Sequence, residues 1–523
     1  VSTDANLLGV AEINKLETGL WVRINKDHWP GISDTTQLDE IRDQLSKIFN
    51  MSQKLNVQLN PENGDPRQNS KFSGVTENQT VNENETAQTI RDDITEEIDN
   101  PMLLEELPLR KIFIGVDERR NPVYFDPQSP IDPLDNMNIM ITGSSGKGKT
   151  QFLKHLILKL RKQGKNVLVL DFKKDFLDDA VFCEESDLSR VVVNFDGLPF
   201  NPLIPYPMKH PISGELLIQT GQHITGIASV LKRTYGLGAV QQNAVKNAIV
   251  QAFLSKGIPA TGTSKFDPAT QYPSFNDIGE ILEISNIGAF NRLDPLFTLD
   301  LFRPEYMQDS FDSLINKSMV LDLSQIPSDQ LKNALAELII LSAHSYLNSQ
   351  PHSGTIRQIL VLDEANRLLG SADYLTSFVR ECRAYGVGVV LSSQYPSDFP
   401  AEISGSMATK ILHGNDRDAD QVRSIIQLIG CTGREAEVAG LERFQAFVDN
   451  RHFSQTLLRT MNYPMYLVWS YLHKHGQMGR EGLYAIDGFD TNKLPLTNII
   501  KQLERLGLVE EKDGIIKVLQ WYE

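Results

Sequence analysis

Eight residues, Gly143-Ser144-Ser145-Gly146-Lys147-Gly148-Lys149-Thr150, combine backbone freedom with one well-placed cation and one hydroxyl. Their order fits GxxxxGK[ST] in full. Gly143, Gly146 and Gly148 let the chain turn so that its N–H groups face phosphate oxygens. A helix opening near Lys149 adds the positive end of its dipole. Lys149 can reach β- and γ-phosphates, and the Thr150 hydroxyl can ligate Mg²⁺. The expected ligand is therefore ATP with Mg²⁺. Lys147 fills a position that the motif leaves open, and a solvated side chain is the plain alternative for it. For the whole stretch the alternative is a fortuitous Gly-Ser loop, which the strand before it and the helix after it disfavour.

A second element is Ile359-Leu360-Val361-Leu362-Asp363-Glu364. Four apolar residues read as a buried strand. Asp363 at its tip can hold Mg²⁺ through water, and Glu364 can act as general base on the attacking water. A strand ending in a solvated acid pair is the alternative. Two further strands carry acids. Asp171 ends Val167–Asp171 without a following Glu, so it reads as a turn cap or a neighbour of the nucleotide. Asp322 lies inside its strand and is discounted. Val387–Ser393 ends in Gln394, whose amide can orient water or sense a γ-phosphate, or simply sit in a loop. Arg380 and Arg383 precede that strand on a helix. Each can serve as an arginine finger on a neighbouring subunit's nucleotide, or as a surface ion-pair partner.

The elements that must hold these residues follow from periodicity. Ile112–Ile114 and Val123–Phe125 flank a turn and read as a hairpin. Asn138–Thr142 is a strand, Thr150–Gln163 a helix and Asn166–Asp171 a strand, a βαβ order that implies a parallel sheet. Further strands are expected at Val191–Asn194, Met319–Leu323, Gln358–Leu362 and Val387–Ser393. Residues 210–315 read as a helical insertion, with helices at Leu216–Lys232, Val240–Leu254 and Ser274–Leu282. Near the C-terminus, helices at Tyr466–Lys474 and Leu494–Leu506 precede two β-prone runs joined by Asp513-Gly514, a tight-hairpin signal. The fold class expected is α/β: a RecA-like P-loop NTPase sheet with a helical insertion and a small C-terminal winged-helix-like domain. The domain boundaries expected are 1–59 for a small N-terminal segment, 60–100 for an acidic disordered linker, 101–460 for the ATPase domain and 462–523 for the winged helix. Gln37–Phe49 has helical spacing but no assignable role.

Composition sets outer bounds. The 523 residues, 41% of them hydrophobic, suffice for more than one core. Net charge is -16, and residues 61–100 hold ten acids against three bases, so bulk attraction to nucleic acid is not the default. Three widely spaced cysteines, Cys183, Cys382 and Cys431, suit a reducing cytoplasm. No apolar run approaches the roughly 18–20 residues that span a bilayer, so no membrane partner is expected. The first residue is Val, which reads as a fragment or a processed chain.

Residues 101–455 resemble the HerA/FtsK superfamily of DNA-pumping ATPases, on the HerA side. Four passages carry the resemblance: Ile139–Thr150, Asp171–Phe176 (DFKKDF), Val320–Leu335 (VLDLSQIPSDQLKNAL) and Arg380–Pro396 (RECRAYGVGVVLSSQYP). The last is the most discriminating. The resemblance implies Lys149 and Thr150 on nucleotide and Mg²⁺, Asp363 on Mg²⁺, Glu364 activating water, Gln394 sensing γ-phosphate, and Arg380 or Arg383 as the finger in trans. It also implies a homo-hexamer around duplex DNA and DNA-stimulated ATP hydrolysis. A motor at the C-terminus of a longer parent is similar to the ATPase of phosphorothioation-dependent DNA restriction (DptH/DndH), with other defence-complex subunits as partners. The insertion and Phe200-Asn201-Pro202-Leu203 also resemble conjugative and type IV secretion ATPases, which move protein or nucleoprotein.

Three functions therefore compete: a translocase or helicase-like motor in an anti-phage or restriction complex, a conjugation or secretion motor, and an ATP-controlled assembly switch. For DNA contact, Thr497, Asn498, Lys501, Gln502 and Arg505 would be exposed on a recognition helix. Glu504, Glu510 and Glu511 stand nearby and oppose phosphate, so a protein-docking winged helix is the alternative. Lys232-Arg233 is a second basic spot, or a solvated helix end.

Overall fold

The computed structural model describes residues 10–16, 19–24, 55–59, 111–129, 131–302, 310–370, 373–415, 418–486 and 495–522. The chain divides into two compact units, Val1–Glu106 and Leu107–Glu523. In the first, Val10–Leu16 pairs antiparallel with Gly19–Ile24, which pairs parallel with Leu55–Leu59. The helical spacing at Gln37–Phe49 and the acidic linker lie outside the described residues.

The second unit is built on one sheet. Its spatial order is Pro122–Phe125, Ile112–Val116, Thr456–Thr460, Gln445–Asp449, Thr409–His413, Ile139–Thr142, Tyr385–Ser393, Ser353–Leu362, Asn166–Asp171, Met319–Asp322, Ser189–Val192. From Thr409–His413 onward every neighbouring pair is parallel. The strands before it pair antiparallel. A parallel pair needs a long crossover, normally a helix, so both faces become covered and the strands can be apolar throughout. Ile139–Thr142 is buried at every residue for this reason. The RecA-like α/β expectation holds. One strand, Tyr385–Ser393, separates the glycine-loop strand from the acid-bearing one. The parallel strands also end on one edge, where Thr142 pairs with Ser393 and Asp171 with Asp322. Open α/β sheets bind ligands in the crevice beyond such ends.

The insertion lies between Ser189–Val192 and Met319–Asp322, which are neighbours in the sheet. It holds helices Thr220–Tyr235, Ala239–Ser255, Phe275–Ser285, Ile287–Thr298 and Phe311–Asn316. One expectation within the insertion needs correction. Leu216–Ile218 is a strand, paired with Met208–Lys209 and Ser264–Lys265, so the helix expected from Leu216 opens at Thr220. A short apolar run fits either structure, and the non-local partners decided it. Ile287–Thr298 is a helix despite Pro295, which hides it from a pattern reading. Likewise the Val191–Asn194 strand is observed at Ser189–Val192, and Val193–Asp196 turns helical.

The C-terminal elements are Tyr463–His475, Met478–Gly479, Arg480–Leu483, Leu496–Leu506 and the hairpin Val509–Lys512/Ile515–Val518. Asp513 and Gly514 turn that hairpin at φ of 53° and 76°, the left-handed pair a two-residue loop requires. Met478–Gly479 adds a third strand. These winged-helix elements share a core with the ATPase sheet. Trp469 is fully buried, donates Nε1–H to Gln520 O at 3.0 Å and lies 5.6 Å from Phe113 of the first hairpin, ring centre to ring centre. Lys159 of the helix after the glycine loop places its ammonium 3.6 Å from the Tyr466 ring centre, a cation–π contact of roughly 0.5–2 kcal/mol.

His155 sits on the same helix, buried, with Nε2 2.8 Å from Phe113 O. Burial, helped by the charge of Lys159, lowers its pKa from 6.5 to about 3. A depressed folded pKa gives stability that is present above the unfolded pKa and lost as pH falls. Between pH 6.5 and pH 5 only the unfolded chain binds this proton, a difference of about 2 kcal/mol. In His155→Gln the loss of unfolding free energy between pH 7.5 and pH 5, measured by urea denaturation, should shrink by about that amount. An identical acid loss in both proteins would refute the neutral buried imidazole.

Candidate nucleotide site

The loop Gly143–Thr150 leaves its strand at Thr142 and enters the helix Lys149–Lys162. Gly143 and Gly148 have φ of 145° and 106°, which side chains rarely adopt. A Cβ at Gly143 would stand 2.5 Å from His413 Cβ, and one at Gly148 2.5 Å from the Phe444 ring. Gly146 turns at φ 79° with open space around it.

Two positions differ in role from the expectation. Gly143 N–H donates to Gln394 O at 3.2 Å, and Ser144 N–H donates to Gly414 O at 3.0 Å. These two N–H groups anchor the loop to the neighbouring strand ends. The groups left for phosphate lie further on, at the start of the helix, where the first turn has no acceptor within the helix. Ser145 and Gly146 are exposed, Lys147 and Thr150 half-buried. Lys147 N–H closes a turn onto Ser144 O at 3.3 Å, and its carbonyl accepts from Phe444 N at 3.0 Å.

Lys149 is buried. Its ammonium donates to Gly143 O and, at 3.3 Å, to Ser144 O, so the loop curls around its own cation. Burial lowers the Lys149 pKa, and the negative charges of Asp363 and Glu364 oppose that shift. The loop lysine and the acid pair are therefore within electrostatic reach of each other.

Asp363 and Glu364 are both buried at the tip of Ser353–Leu362. Burial, reinforced by the charges of Glu364, Asp175 and Asp171, pushes Asp363 up to about 6. Asp363 thus sits buried among other carboxylates, an environment a divalent cation relieves. Among the described residues no three His, Cys, Asp or Glu side chains are grouped to hold a metal. A hydroxyl and one carboxylate fit Mg²⁺ that draws its other ligands from phosphates and water.

Glu364 has φ 59°, a left-handed backbone rare outside glycine. Glu364 N–H donates to Asp363 Oδ1 at 3.1 Å, and Ala365 N–H is tied to Ser392 O at 2.7 Å. The turn aims the carboxylate across the strand ends. There Glu364 Oε1 pairs with the Lys173 ammonium, and Oε2 lies 3.4 Å from Gln394 Nε2. Gln394 thereby touches both halves of the site, through its carbonyl to Gly143 and its amide to Glu364.

Asp171 is a turn cap. Its carboxylate accepts from the N–H groups of Lys173, Phe176 and Leu177 at 3.0, 3.0 and 3.1 Å. Asp322 accepts from Ser324 N at 3.0 Å. Arg380 and Arg383 are exposed, and Arg380 pairs with Glu402 at 3.2 Å. They precede the nine-residue strand Tyr385–Ser393 and so lie at the far edge of the sheet from Gln394, roughly 25–30 Å away. Neither reaches its own chain's loop.

Sequence reading missed Lys173, His413, Asn415 and Phe444. Lys173 stood in the DFKKDF passage, which was its only signal. Asn415 Oδ1 accepts from Ser144 Oγ at 3.4 Å. Phe444 gave no signal at all: it lies about 300 residues from the loop and comes in from the antiparallel extension of the sheet. On the proposed recognition helix Asn498, Lys501 and Arg505 are exposed and Thr497 and Gln502 half-buried. Arg505 pairs with Glu442 at 3.3 Å, and Thr497 accepts from Arg480 at 3.2 Å. Arg233 is paired with buried Glu337, while Lys232 is exposed.

Residues 130–188 match the family profile of the type IV secretion-system coupling protein DNA-binding domain, well under half of the chain. No curated protein matches. Among solved structures, VirB4 of Thermoanaerobacter pseudethanolicus aligns with a TM-score of 0.53 at 18% identity, covering 67% of this chain and 96% of that one. The bacterial conjugative coupling protein TrwB in unbound form gives a TM-score of 0.41 at 15% identity, covering 67% and 88%. TrwB in complex with ADP and Mg²⁺ gives 0.39 at 15%, covering 60% and 82%. The VirB4 likeness carries the fold: this is a RecA-like P-loop NTPase sheet. The HerA/FtsK resemblance agrees with that at the coarse level. Of the readings drawn from sequence, the coupling-protein profile sides with conjugation and secretion ATPases, and the comparisons lend nothing to phosphorothioation-dependent restriction. Among the described residues no helix is long and apolar enough to cross a membrane.

Gly148→Ala should force the Phe444 ring away and strain the loop, at a cost of about 1–3 kcal/mol. Affinity for a fluorescent ATP analogue with Mg²⁺ should fall about tenfold or more, with secondary structure by circular dichroism unchanged. Unaltered affinity would contradict the contact.

Proposed function

We propose that this chain is an ATP-hydrolysing motor of the conjugation and type IV secretion kind, moving protein or nucleoprotein. The observation that carries the reading is Gln394, bonded at once to the glycine loop and to Glu364. A single residue holding both elements means that a triphosphate seated on the loop ends beside the buried carboxylate. The match to a type IV secretion-system coupling protein domain supports the motor class.

Glu364 takes a proton from water, the water oxygen attacks the γ-phosphorus, and the bond from that phosphorus to the β–γ bridging oxygen breaks. Lys149 and the N-terminus of its helix stabilise charge on the transferred and leaving oxygens. Thr150 and Asp363 would hold Mg²⁺, which neutralises phosphate charge when bound. Gln394 senses the γ-phosphate. Arg380 or Arg383 serves a neighbouring copy, since neither reaches its own site, and this requires a homo-oligomer, proposed as a hexamer. Duplex DNA in the pore is the second reading of the cargo; the matched domain's description names DNA binding without a strand form.

Glu364→Gln should keep ATP binding and lower turnover by about 10²–10⁴-fold, while Lys149→Ala should lose both. Turnover measured with no polymer, with duplex and with single strands separates the cargoes. Stimulation by duplex alone would favour the translocase reading; activation only by a partner protein or nucleoprotein supports the secretion motor. No turnover under any condition would defeat both.

The finger has its own test. Arg380→Ala and Arg383→Ala should each be tried alone and mixed with Lys149→Ala. The finger variant should be inactive alone and partly restored in the mixture, because mixed interfaces pair an intact site with an intact arginine. Full activity of both arginine variants alone would exclude the assignment.

A further inference from the structure

Every oxygen of the proposed base is occupied in the site as it stands. Lys173 pairs with Glu364 Oε1, and Gln394 approaches Oε2 at 3.4 Å. An attacking water must compete with both donors for those oxygens. Glu364 must therefore be released before it can act.

The two partners of the ion pair differ in freedom. The Glu364 side chain is 9% exposed and held by a left-handed backbone, whereas that of Lys173 is 42% exposed. The Lys173 backbone is fixed, since its N–H and those of Phe176 and Leu177 all bond to Asp171. Only its four-carbon stem is free to swing. Lys149, by contrast, is buried in the loop and committed to two carbonyls. Lys173 is thus the mobile cation at the acid end of the crevice. A terminal phosphate brings a second anion there to compete with Glu364 for it.

We propose that Lys173 is a latch responsive to the terminal phosphate: it restrains Glu364 in the empty and diphosphate-bound site, and transfers to the γ-phosphate when a triphosphate binds, freeing the carboxylate. The proposal rests on the reading of Gly143–Thr150 and Asp363-Glu364 as an ATP site. Lys173 acts here as a positioning residue for the base and as a discriminator of triphosphate from diphosphate. The bland alternative is that Lys173 only neutralises a buried carboxylate.

Equilibrium binding separates the two without relying on turnover. A fluorescent non-hydrolysable ATP analogue and a fluorescent ADP, each with Mg²⁺, would be titrated into wild type, Glu364→Gln, Lys173→Met and the double variant. A latch predicts that Lys173→Met weakens the ATP analogue about tenfold or more and ADP by less than about twofold, in both the wild-type and the Glu364→Gln backgrounds. It also predicts that Glu364→Gln alone binds the ATP analogue more tightly than wild type, because the ion pair no longer has to break, and that Lys173→Arg keeps most of the discrimination. If the double variant binds both nucleotides as Glu364→Gln does, Lys173 is a neutralising partner only and the latch is overturned. Binding of neither nucleotide to wild type would instead bring down the ATP-site reading, and the latch with it.

Discussion

Negative charge held out of water at the ends of parallel strands is the constraint on which this site depends. Asp171, Asp363 and Glu364 are buried at one edge of the sheet beside the more exposed Asp175, and burial pushes the Asp363 carboxyl up to about 6. Such groups are tolerated only when paired, hydrogen-bonded or offset by a bound cation. Asp171 is met by three backbone N–H groups, Glu364 by Lys173, and Lys149 lends its charge from across the crevice. Asp363 is left as the carboxylate with most to gain from a divalent ion. The arrangement is strained in the way a ligand relieves, and it appears where the backbone of Glu364 departs from the usual region.

The rest of the unit serves to hold that edge in place. Parallel pairing sets Thr142 opposite Ser393, Asp171 opposite Asp322, and Leu362 opposite Leu170 and Leu391, so the strands end within a residue or two of one another. The antiparallel extension contributes Phe444, whose ring packs on Gly148 and whose N–H bonds Lys147 O. The winged-helix elements brace the helix behind the loop through Tyr466 and the first hairpin through Trp469. Arg505 of the last helix reaches Glu442, two residues from Phe444. The C-terminal elements are therefore tied both to the helix and to the segment that covers the loop.

Mechanism and cargo are encoded at different levels. Hydrolysis needs a few residue types at fixed separations, and those separations survive in any RecA-like sheet. Cargo choice resides in surfaces and in the assembly of copies, which leave no short motif. The Arg380–Pro396 passage carries the resemblance to the HerA/FtsK superfamily, whereas the restriction reading rests on the resemblance of a C-terminal motor in a longer parent and on no residue of the sheet. The coupling-protein profile at residues 130–188 sides with the secretion reading, and the VirB4 likeness carries the fold alone.

Much of the core was legible in the chain alone. Strands with a continuous apolar run, such as Val167–Leu170 within Asn166–Asp171, and a loop with glycine where φ is positive declare themselves locally, because backbone sterics and burial act on the residues that carry them. So do the acid pair at a strand tip and the Asp513-Gly514 turn. Tertiary structure alone decided what those residues face. Leu216–Ile218 became a strand only because Met208–Lys209 and Ser264–Lys265 lie beside it. Gly143 and Ser144 proved to be anchors because Gln394 and Gly414 supply acceptors from other strands. Lys173 met Glu364 across 191 positions of sequence. Contacts of that kind depend on which strands become neighbours, a property of the whole sheet that no local pattern of residues contains.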